Sequence, residues 1–329
     1  MLRRTVLGML PAAAALAACG HKTDASARIR FATDWRAQAE HGGFYQALAT
    51  GEYAKRGLKV EIVQGGPNVS VSQLIASGAV EMGIGSDGFT VFALAAAKAP
   101  VKAVAAFFQK NPQVIIAHDD PAIKTLADLK GHPILISPGA RDTFWPWLKA
   151  KYGFTDDQVR TYNFSDAPFL ADPRAAQEGY LTSEPYTIEK ATHVKPKVFL
   201  LADEGYASYA AMALAPERLL SAKPAMVQAF VDASVEGWKS YLNGDPAPAN
   251  KLILRDNPEM TQDLIDQARQ KMSAFGIVEG GDAKAHGVGV MTDARWAEFF
   301  QATTQQGLFP ASLDYKSAYT LQHLPRVKA

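Results

Sequence analysis

The sequence predicts an α/β fold divided into two lobes, and three observations lead to this prediction. Short apolar segments typical of buried strands alternate with segments of helical periodicity, which favours mainly parallel sheets flanked by helices. This alternation occurs in two sets, separated near residues 119–121. The chain has 329 residues, 48% of them hydrophobic, which is more than one core comfortably holds.

The individual elements follow from these patterns in chain order. In the first set, strands are predicted at residues 28–33, 59–63, 82–84 and 101–108, with helices at 41–55, 70–77 and 90–97. In the second set, helices are predicted at 126–129, 143–152 and 173–179, with strands at 134–137, 159–164, 180–182 and 197–201. Residues 209–215 return the chain to the first lobe, and amphipathic helices, clearest at 226–242 and 261–275, cover it.

This order makes the first lobe discontinuous. We expect lobe 1 to comprise residues 28–115 and 212–329, and lobe 2 to comprise residues 116–211. Two crossovers, near 113–117 and 208–214, would form a hinge with a cleft beside it.

The N-terminus has the pattern of a lipoprotein signal. Two arginines precede an uncharged run over residues 5–18, which ends in Leu-Ala-Ala before Cys19. The run is too short for a permanent membrane span, and small residues before a cysteine are what a lipoprotein signal peptidase recognises. We expect a signal peptide over 1–18, a lipid on Cys19 and a polar tether over 19–27. The sequence leaves open whether export uses the Sec or the twin-arginine route.

The charge balance argues against nucleic acid as a partner. The 34 basic residues less Arg3 and Arg4 of the signal leave 32, against 33 acidic residues. Without a basic excess there is no electrostatic footprint for a phosphate backbone. No later segment is long and apolar enough to cross a membrane. The mature body is expected to be soluble and monomeric, held at the outer face of a membrane through its lipid.

Polar and aromatic residues at the ends of predicted strands are the candidate ligand-binding residues. Asp34 and Trp35 follow the first strand, and Ser86 with Asp87 follows the strand at 82–84. Ligands bind at the carboxyl ends of strands in open α/β sheets. A tryptophan offers a flat face to an aromatic ligand, and a carboxylate accepts hydrogen bonds from an amino-substituted ring. Alternatively, Trp35 is a core anchor and Asp34 a helix cap.

The loop after the strand at 134–137 offers a different kind of contact. Ser137 and Thr143 flank the start of a helix, where backbone amides suit an anion, and Arg141 could pair with a carboxylate or phosphate. Arg141 is otherwise a surface salt-bridge residue. Trp145 either packs in the core or lies against a ligand opposite Trp35.

Four stretches of the chain match a known pattern. They are Asp34-Trp35 with His41, Gly43 and Tyr45, then GEYAKRGL at 51–58, QLIASGAVEMGIG at 73–85, and TLADLKG at 125–131. With them the chain resembles the type II periplasmic binding proteins over most of residues 29–245. The first stretch is similar to the branch that binds thiamine-pyrimidine precursors, which is related to the nitrate-, sulfonate- and taurine-binding proteins.

The resemblance implies a solute-binding component of an ABC-type importer, which delivers a small aromatic or heterocyclic molecule to a permease and ATPase. It also implies that Glu184 and Tyr186 hold the ligand from the facing lobe, whereas the residues alone indicate only a proline-terminated turn. His41 either donates to the ligand or caps the following helix. The complete candidate set is Asp34, Trp35, His41, Tyr45, Ser86, Asp87, Ser137, Arg141, Thr143, Trp145, Glu184 and Tyr186.

Two other binding roles remain open. A receptor for a sulfonate or carboxylate would need Arg141 and the loop over 137–143 to dominate the cleft, whereas a heterocycle needs Trp35 and the carboxylates. A binding module could also serve sensing rather than uptake.

An enzyme is the less favoured reading. Fungal thiamine-pyrimidine synthases of the same fold use a lysine-bound pyridoxal phosphate, a reactive histidine and a cysteine-rich iron segment. This chain has no lysine or histidine between Lys59 and Lys98, and no cysteine beyond Cys19. It also lacks the Gly-x-Ser-x-Gly and His-Glu-x-x-His motifs. We therefore expect no catalysis, no cofactor and no metal.

Overall fold

The computed structural model describes residues 27–67 and 69–325 and confirms the predicted two-lobed α/β fold. The predicted signal peptide over 1–18 and Cys19 lie outside the described residues. So does the predicted tether, except for Ala27, which is already the first residue of a strand.

Within the described residues, ten strands form two sheets of five strands each. The strands are β1 Ala27–Ala32, β2 Leu58–Val63, β3 Met82–Asp87, β4 Val101–Phe108, β5 Gln113–Ala117, β6 Ile134–Ile136, β7 Val159–Thr161, β8 Ala176–Tyr180, β9 Lys197–Leu200 and β10 Ala210–Pro216. The first sheet has the order β2-β1-β3-β10-β4 and the second β7-β6-β8-β5-β9.

Helices cover both sheets. They are α1 Gly42–Ala49, α2 Glu52–Lys55, α3 Val71–Ser77, α4 Gly88–Ala96, α5 Pro138–Arg141, α6 Phe144–Tyr152, α7 Ala167–Ala171, α8 Glu184–Thr192, α9 Glu217–Ala222, α10 Pro224–Asn243, α11 Ala247–Asp256, α12 Gln262–Ala274, α13 Ala283–His286 and α14 Asp293–Gln305. Short 3-10 helices lie at Ala39–His41, Leu126–Leu129, Asp156–Gln158 and Tyr315–Ala318. In the part of the chain that the structure describes, no helix has the length and apolar character of a bilayer span.

Each sheet contains one strand that runs against its neighbours, and the chain enters the sheet on that strand when it changes lobe. Strand β10 is antiparallel to β3 and β4, and β5 is antiparallel to β8 and β9. All of β5 belongs to the second sheet, so the predicted boundary between residues 115 and 116 falls inside a strand. The crossovers are residues 109–112 and 201–209. They lie side by side, because Lys110 Nζ is 2.5 Å from Asp203 Oδ1.

The structure contradicts the prediction for residues 173–182. The expected helix at 173–179 and strand at 180–182 are wrong, because residues 176–180 form β8. Alanine, glutamine and glutamate favour a helix locally. Strand β8, however, is buried between β5 and β6 and hydrogen-bonds to both. Pairing within the sheet therefore overrides local helix propensity.

Helices α1 and α10 pack so closely that glycine is required on both. A Cβ at Gly237 would lie 2.1 Å from the carbonyl oxygen of Gly43, and a Cβ at Gly43 would lie 2.1 Å from the Trp238 ring. The buried Trp238 ring in turn contacts Phe107 and Phe108 of β4. This contact fixes the helical layer on the first sheet.

We predict that Gly237→Ala destabilises the protein, because the added methyl overlaps the backbone of α1. Overpacking of this kind costs about 1–3 kcal/mol or more in the free energy of unfolding. Urea denaturation followed by circular dichroism measures the loss. Gly139→Ala is the control, because a Cβ there meets nothing within 4 Å. Equal stability of the two variants would contradict the packing argument.

Candidate functional site

The carboxyl ends of parallel strands from both sheets line one cleft between the lobes. The cleft encloses a cavity of about 380 Å³, a volume suited to a small molecule. It lies where open α/β sheets bind their ligands. Eight of the predicted residues line it, namely Asp34, Trp35, His41, Ser86, Asp87, Ser137, Thr143 and Glu184.

Asp34, which follows β1, is held by His41. The Nε2 of His41 lies 3.1 Å from Oδ1 of Asp34. Burial raises the pKa of Asp34, but the hydrogen bond and charge attraction from His41, together with hydrogen bonds from Ser86 and the backbone, outweigh it, so that the pKa is lowered overall. His41 makes no side-chain bond that caps α1. The His41 ring therefore binds Asp34 and does not cap the helix. Because its pKa is lowered, Asp34 is a carboxylate at neutral pH.

Trp35 forms an aromatic wall with Phe164 of the facing lobe. Their ring centroids are 4.4 Å apart at an interplanar angle of 53°. Phe164 lies in the loop after β7 and has a φ of 60°, in the left-handed region that is costly for a bulky side chain. It is nevertheless 38% exposed. Strained backbone of this kind clusters at ligand clamps, which is consistent with a place in the cleft wall.

Asp87 ends β3 and connects the cleft to the second crossover. Its Oδ1 accepts hydrogen bonds from the backbone N–H and the hydroxyl of Thr90, both at 2.9 Å. Its Oδ2 accepts from the hydroxyl of Tyr206 at 2.7 Å. Burial raises the pKa of Asp87, and these bonds offset only part of that effect. The side chain thus joins a cleft residue to the hinge segment over 201–209.

The second lobe contributes two carboxyl groups, of which Glu178 is buried and Glu184 is half-buried. Glu178 on β8 accepts a hydrogen bond from the backbone N–H of Ser137 at 3.0 Å, and Glu184 accepts from the backbone N–H of Tyr180 at 2.7 Å. Burial raises the pKa of each glutamate to about 7. Pro185 occupies the first turn of α8, where its missing N–H costs nothing, so the Glu-Pro-Tyr segment begins a helix instead of forming only a turn.

Glu40 joins the two lobes across the cleft. Its Oε1 accepts a hydrogen bond from the hydroxyl of Thr182, just after β8. Gln267 of α12 donates to the carbonyl of the same threonine. Burial raises the pKa of Glu40, and the bond from Thr182 opposes that shift. Two elements of the first lobe therefore hold the end of β8.

Tyr180, the last residue of β8, is surrounded by these acids. Burial, followed by the negative charges of Asp34, Asp87 and Glu40, raises its pKa well above 10. The phenol therefore stays protonated. Within residues 27–67 and 69–325 its hydroxyl makes no hydrogen bond. The Tyr180 hydroxyl can donate a hydrogen bond to an acceptor group of a ligand.

Four of the predicted ligand-binding residues do not line the cleft. Tyr45 is fully buried in the core of the first lobe, and Arg141 is exposed on the surface. Trp145 is also buried in a core, and Tyr186 donates its hydroxyl to Asp263 at 3.0 Å. All four lie on helices, where packing against the sheet or a neighbouring helix sets the direction of the side chain.

Other cleft residues escaped the sequence prediction. Glu40 stands beside His41 without a motif of its own, and Phe164 lies in a loop. Glu178 was hidden by the wrong helix over 173–179, and Tyr180 was placed at the start of the wrong strand over 180–182. An alternating pattern was the available signal, since residues two apart in a strand share a face.

The lining of the cleft is acidic. Among the described residues of the lining, the carboxyl groups are those of Asp34, Glu40, Asp87, Glu178 and Glu184. Among the described residues that line the cleft there is no lysine or arginine, and His41 is the one basic side chain. No group of His, Cys, Asp and Glu in the described ranges is arranged to hold a metal ion. Such a surface suits ligands that donate hydrogen bonds.

The two-sheet topology and the cleft at the strand ends define a protein of the type II periplasmic-binding-protein fold. The chain belongs to the family described as NMT1/THI5 like, whose model matches residues 38–249. This confirms the resemblance predicted from the sequence. No curated protein sequence matches the chain.

Solved structures share this fold at low sequence identity. The periplasmic aliphatic sulphonate-binding protein SsuA of Escherichia coli is 16% identical, with a TM-score of 0.66 over 92% of this chain and 94% of that one. The alkanesulfonate-binding protein SsuA from Xanthomonas axonopodis pv. citri, bound to MOPS, is 17% identical, with a TM-score of 0.61 over 90% and 98%. The desulfurization enzyme DSZB is 15% identical, with a TM-score of 0.56 over 90% and 97%. These identities establish a common fold alone.

We predict that Glu178→Gln reduces the dependence of stability on pH. The pKa of Glu178 rises from 4.5 to about 7 on folding, so the folded chain binds more protons in that range. The free energy of unfolding should therefore fall as pH rises from about 4.5 to about 7, by at most about 3 kcal/mol for this group. Glutamine keeps an acceptor for the Ser137 N–H but cannot ionise. Urea unfolding between about pH 5 and pH 8 measures the slope.

Glu189→Gln is the matched control for this prediction. Glu189 lies on α8 and is exposed to solvent. In this control, the free energy of unfolding should depend on pH as it does in the wild type. If the free energy of unfolding of Glu178→Gln depends on pH as steeply as that of the wild type, burial of this carboxyl group has no effect on proton binding.

Proposed function

We propose that the protein is the solute-binding component of an ABC-type importer, which captures a small aromatic or heterocyclic molecule and delivers it to a permease. The observation that carries the proposal is the Trp35–Phe164 pair, contributed by facing lobes to the wall of one cavity. Membership of the NMT1/THI5-like family supports it, as does the fold shared with periplasmic sulfonate-binding proteins.

In this proposal, ligand binding closes the lobes. The ring of the ligand stacks on Trp35, while Asp34 from one lobe and Glu184 from the other accept its hydrogen bonds. The bond between Glu40 and Thr182 spans the lobes and therefore belongs to the closed state. A ligand that gains contacts from both lobes binds the closed state better and shifts the population toward it.

We further propose that the protein works outside the cytoplasm, attached to a membrane by a lipid on Cys19. The support is the Leu-Ala-Ala-Cys pattern behind an uncharged run. A protein of the same fold, SsuA of Escherichia coli, is periplasmic, as its name states.

A sulfonate receptor is the second candidate, favoured by the names of two similar structures. The side chains of the cleft argue against it. Arg141, the cation that an anion would need, is exposed on the surface and donates to the Thr161 hydroxyl at 3.3 Å. A binding role is also preferred to catalysis, although a desulfurization enzyme shares the fold.

We predict that a screen by thermal shift identifies ligands among pyrimidines, thiamine and flavin fragments and aromatic amines. A ligand at about a hundred times its Kd stabilises the folded state by roughly 2.7 kcal/mol, which raises Tm measurably. Trp35→Ala should abolish the shift and leave the apoprotein folded, because Trp35 is only half-buried.

Phe275→Ala is the control for the loss of an aromatic ring, since Phe275 is 40% exposed and lies away from the cleft. It should keep the response to the ligand. Shifts caused by sulfonates alone would favour the second candidate. If the Trp35→Ala variant does not fold, the Trp35 ring is part of the core and not a ligand contact.

We predict that Cys19→Ser releases the protein from membranes, because serine offers no thiol for the lipid. Cell fractionation followed by immunoblotting should find the variant in the soluble exported fraction and the wild type in the membrane pellet. Ser26→Ala, in the predicted tether, is the control and should remain in the pellet. A Cys19→Ser protein that has lost its signal peptide, as judged by its size on the blot, and still stays in the membrane pellet would rule out the anchor.

A further inference from the structure

We infer that the ligand carries a positive charge, as an organic ammonium or a cationic nitrogen heterocycle. The inference rests on the proposed solute-binding role and goes beyond it by assigning the charge of the ligand. Two features of the cleft carry it: carboxyl groups from both lobes, and aromatic rings beside them.

The acids are distributed so that a bound cation meets them from both lobes. Asp34 and Glu40 belong to the first lobe and Glu178 and Glu184 to the second. One oxygen of Glu40 accepts from Thr182 and one oxygen of Glu184 accepts from Tyr180. Both side chains line the cavity, where a hydrogen-bond donor of the ligand can reach them.

Aromatic rings supply the second type of contact. Trp35 and Phe164 meet at 4.4 Å, and Tyr162 lies 5.2 Å from Phe164, measured between ring centroids. All three rings line the cavity. A cation over an aromatic face is attracted by the ring quadrupole, and this attraction is larger where water is excluded. Rings next to carboxylates form the kind of cage that recognises ammonium groups.

An anion would meet the opposite conditions. Among the described residues that line the cleft, the one basic side chain is His41, which is already engaged with Asp34 at 3.1 Å. A sulfonate or carboxylate would therefore enter without an ion-pair partner and close to like charges, an arrangement that opposes binding. The fold shared with sulfonate-binding proteins does not extend to a cleft suited to sulfonates.

The test compares ligands that differ in charge but little in shape. Isothermal titration calorimetry of the mature protein is run with two trios. The first is N1-methylnicotinamide, nicotinamide and nicotinate, and the second is benzylamine, benzyl alcohol and phenylmethanesulfonate. In a trio that binds, we expect the cation to bind about tenfold tighter than the neutral compound, with no measurable binding of the anion.

Two variants separate charge from shape. Asp34→Asn and Glu184→Gln keep the size of each side chain. Each should weaken the binding of the cation by about tenfold and the binding of the neutral compound by less than about threefold. Glu189→Gln, on the exposed side of α8, should change neither affinity. Retained preference for the cation in both cleft variants would overturn the assignment to these carboxylates.

The outcomes distinguish this inference from the proposed function. If a neutral or anionic compound of the trios or of the thermal-shift screen binds at least as tightly as every cation, the inference is overturned and the solute-binding role stands. If no compound of any charge binds in either experiment, the solute-binding proposal fails, and the inference fails with it.

Discussion

The direction in which the chain leaves each sheet determines the rest of the structure. Strand β4 ends at the cleft with Phe108, and β5 begins there with Gln113, so the chain crosses between lobes along the edge of the cavity. A strand that starts where its neighbours end must run antiparallel to them, as β5 and β10 do. The parallel strands of both sheets therefore end toward the same gap, and the loops after them form its walls.

Collecting acids in this gap has an energetic cost. Like charges in a partly dry cavity repel each other, and removing carboxylates from water is unfavourable without partners. The protein limits the cost in two ways. His41 and the Thr182 hydroxyl bind Asp34 and Glu40 respectively, whereas the pKa of Glu178 and of Glu184 lies near 7, so that these groups are partly protonated at neutral pH. The cleft is therefore less negative than its composition indicates.

Local patterns in the sequence predicted those parts of the fold that local forces determine. The apolar run at 101–108 is a strand in the structure with the same bounds, and the rule of strand ends correctly brought Asp34, Trp35 and Asp87 to one cavity. Strand β8 was missed because its alanine and glutamine residues favour a helix, and only its two neighbours in the sheet make it extended.

The structure places some of the predicted residues away from the cleft, because the direction of their side chains depends on helix packing. Tyr45 and Trp145 have the chemistry of ligand-binding residues, but the faces of α1 and α6 that carry them pack into the cores. No spacing in one sequence reveals which face of a short helix meets a sheet. Conversely, the acidic character of the cavity emerges only when strands distant in sequence, such as β1 and β8, bring Asp34 and Glu178 to one place.

The hydrogen bond from Tyr206 to Asp87 links a crossover between the lobes to the lining of the cleft. Tyr206 lies within the second crossover between the lobes, while Asp87 lines the cleft. Replacing this acid to accommodate a new solute would also remove the hydrogen-bond acceptor of a buried tyrosine in the crossover. A new specificity at this position would therefore carry a cost in stability unless the crossover supplied another acceptor, which links the evolution of the cleft to that of the connection between the lobes.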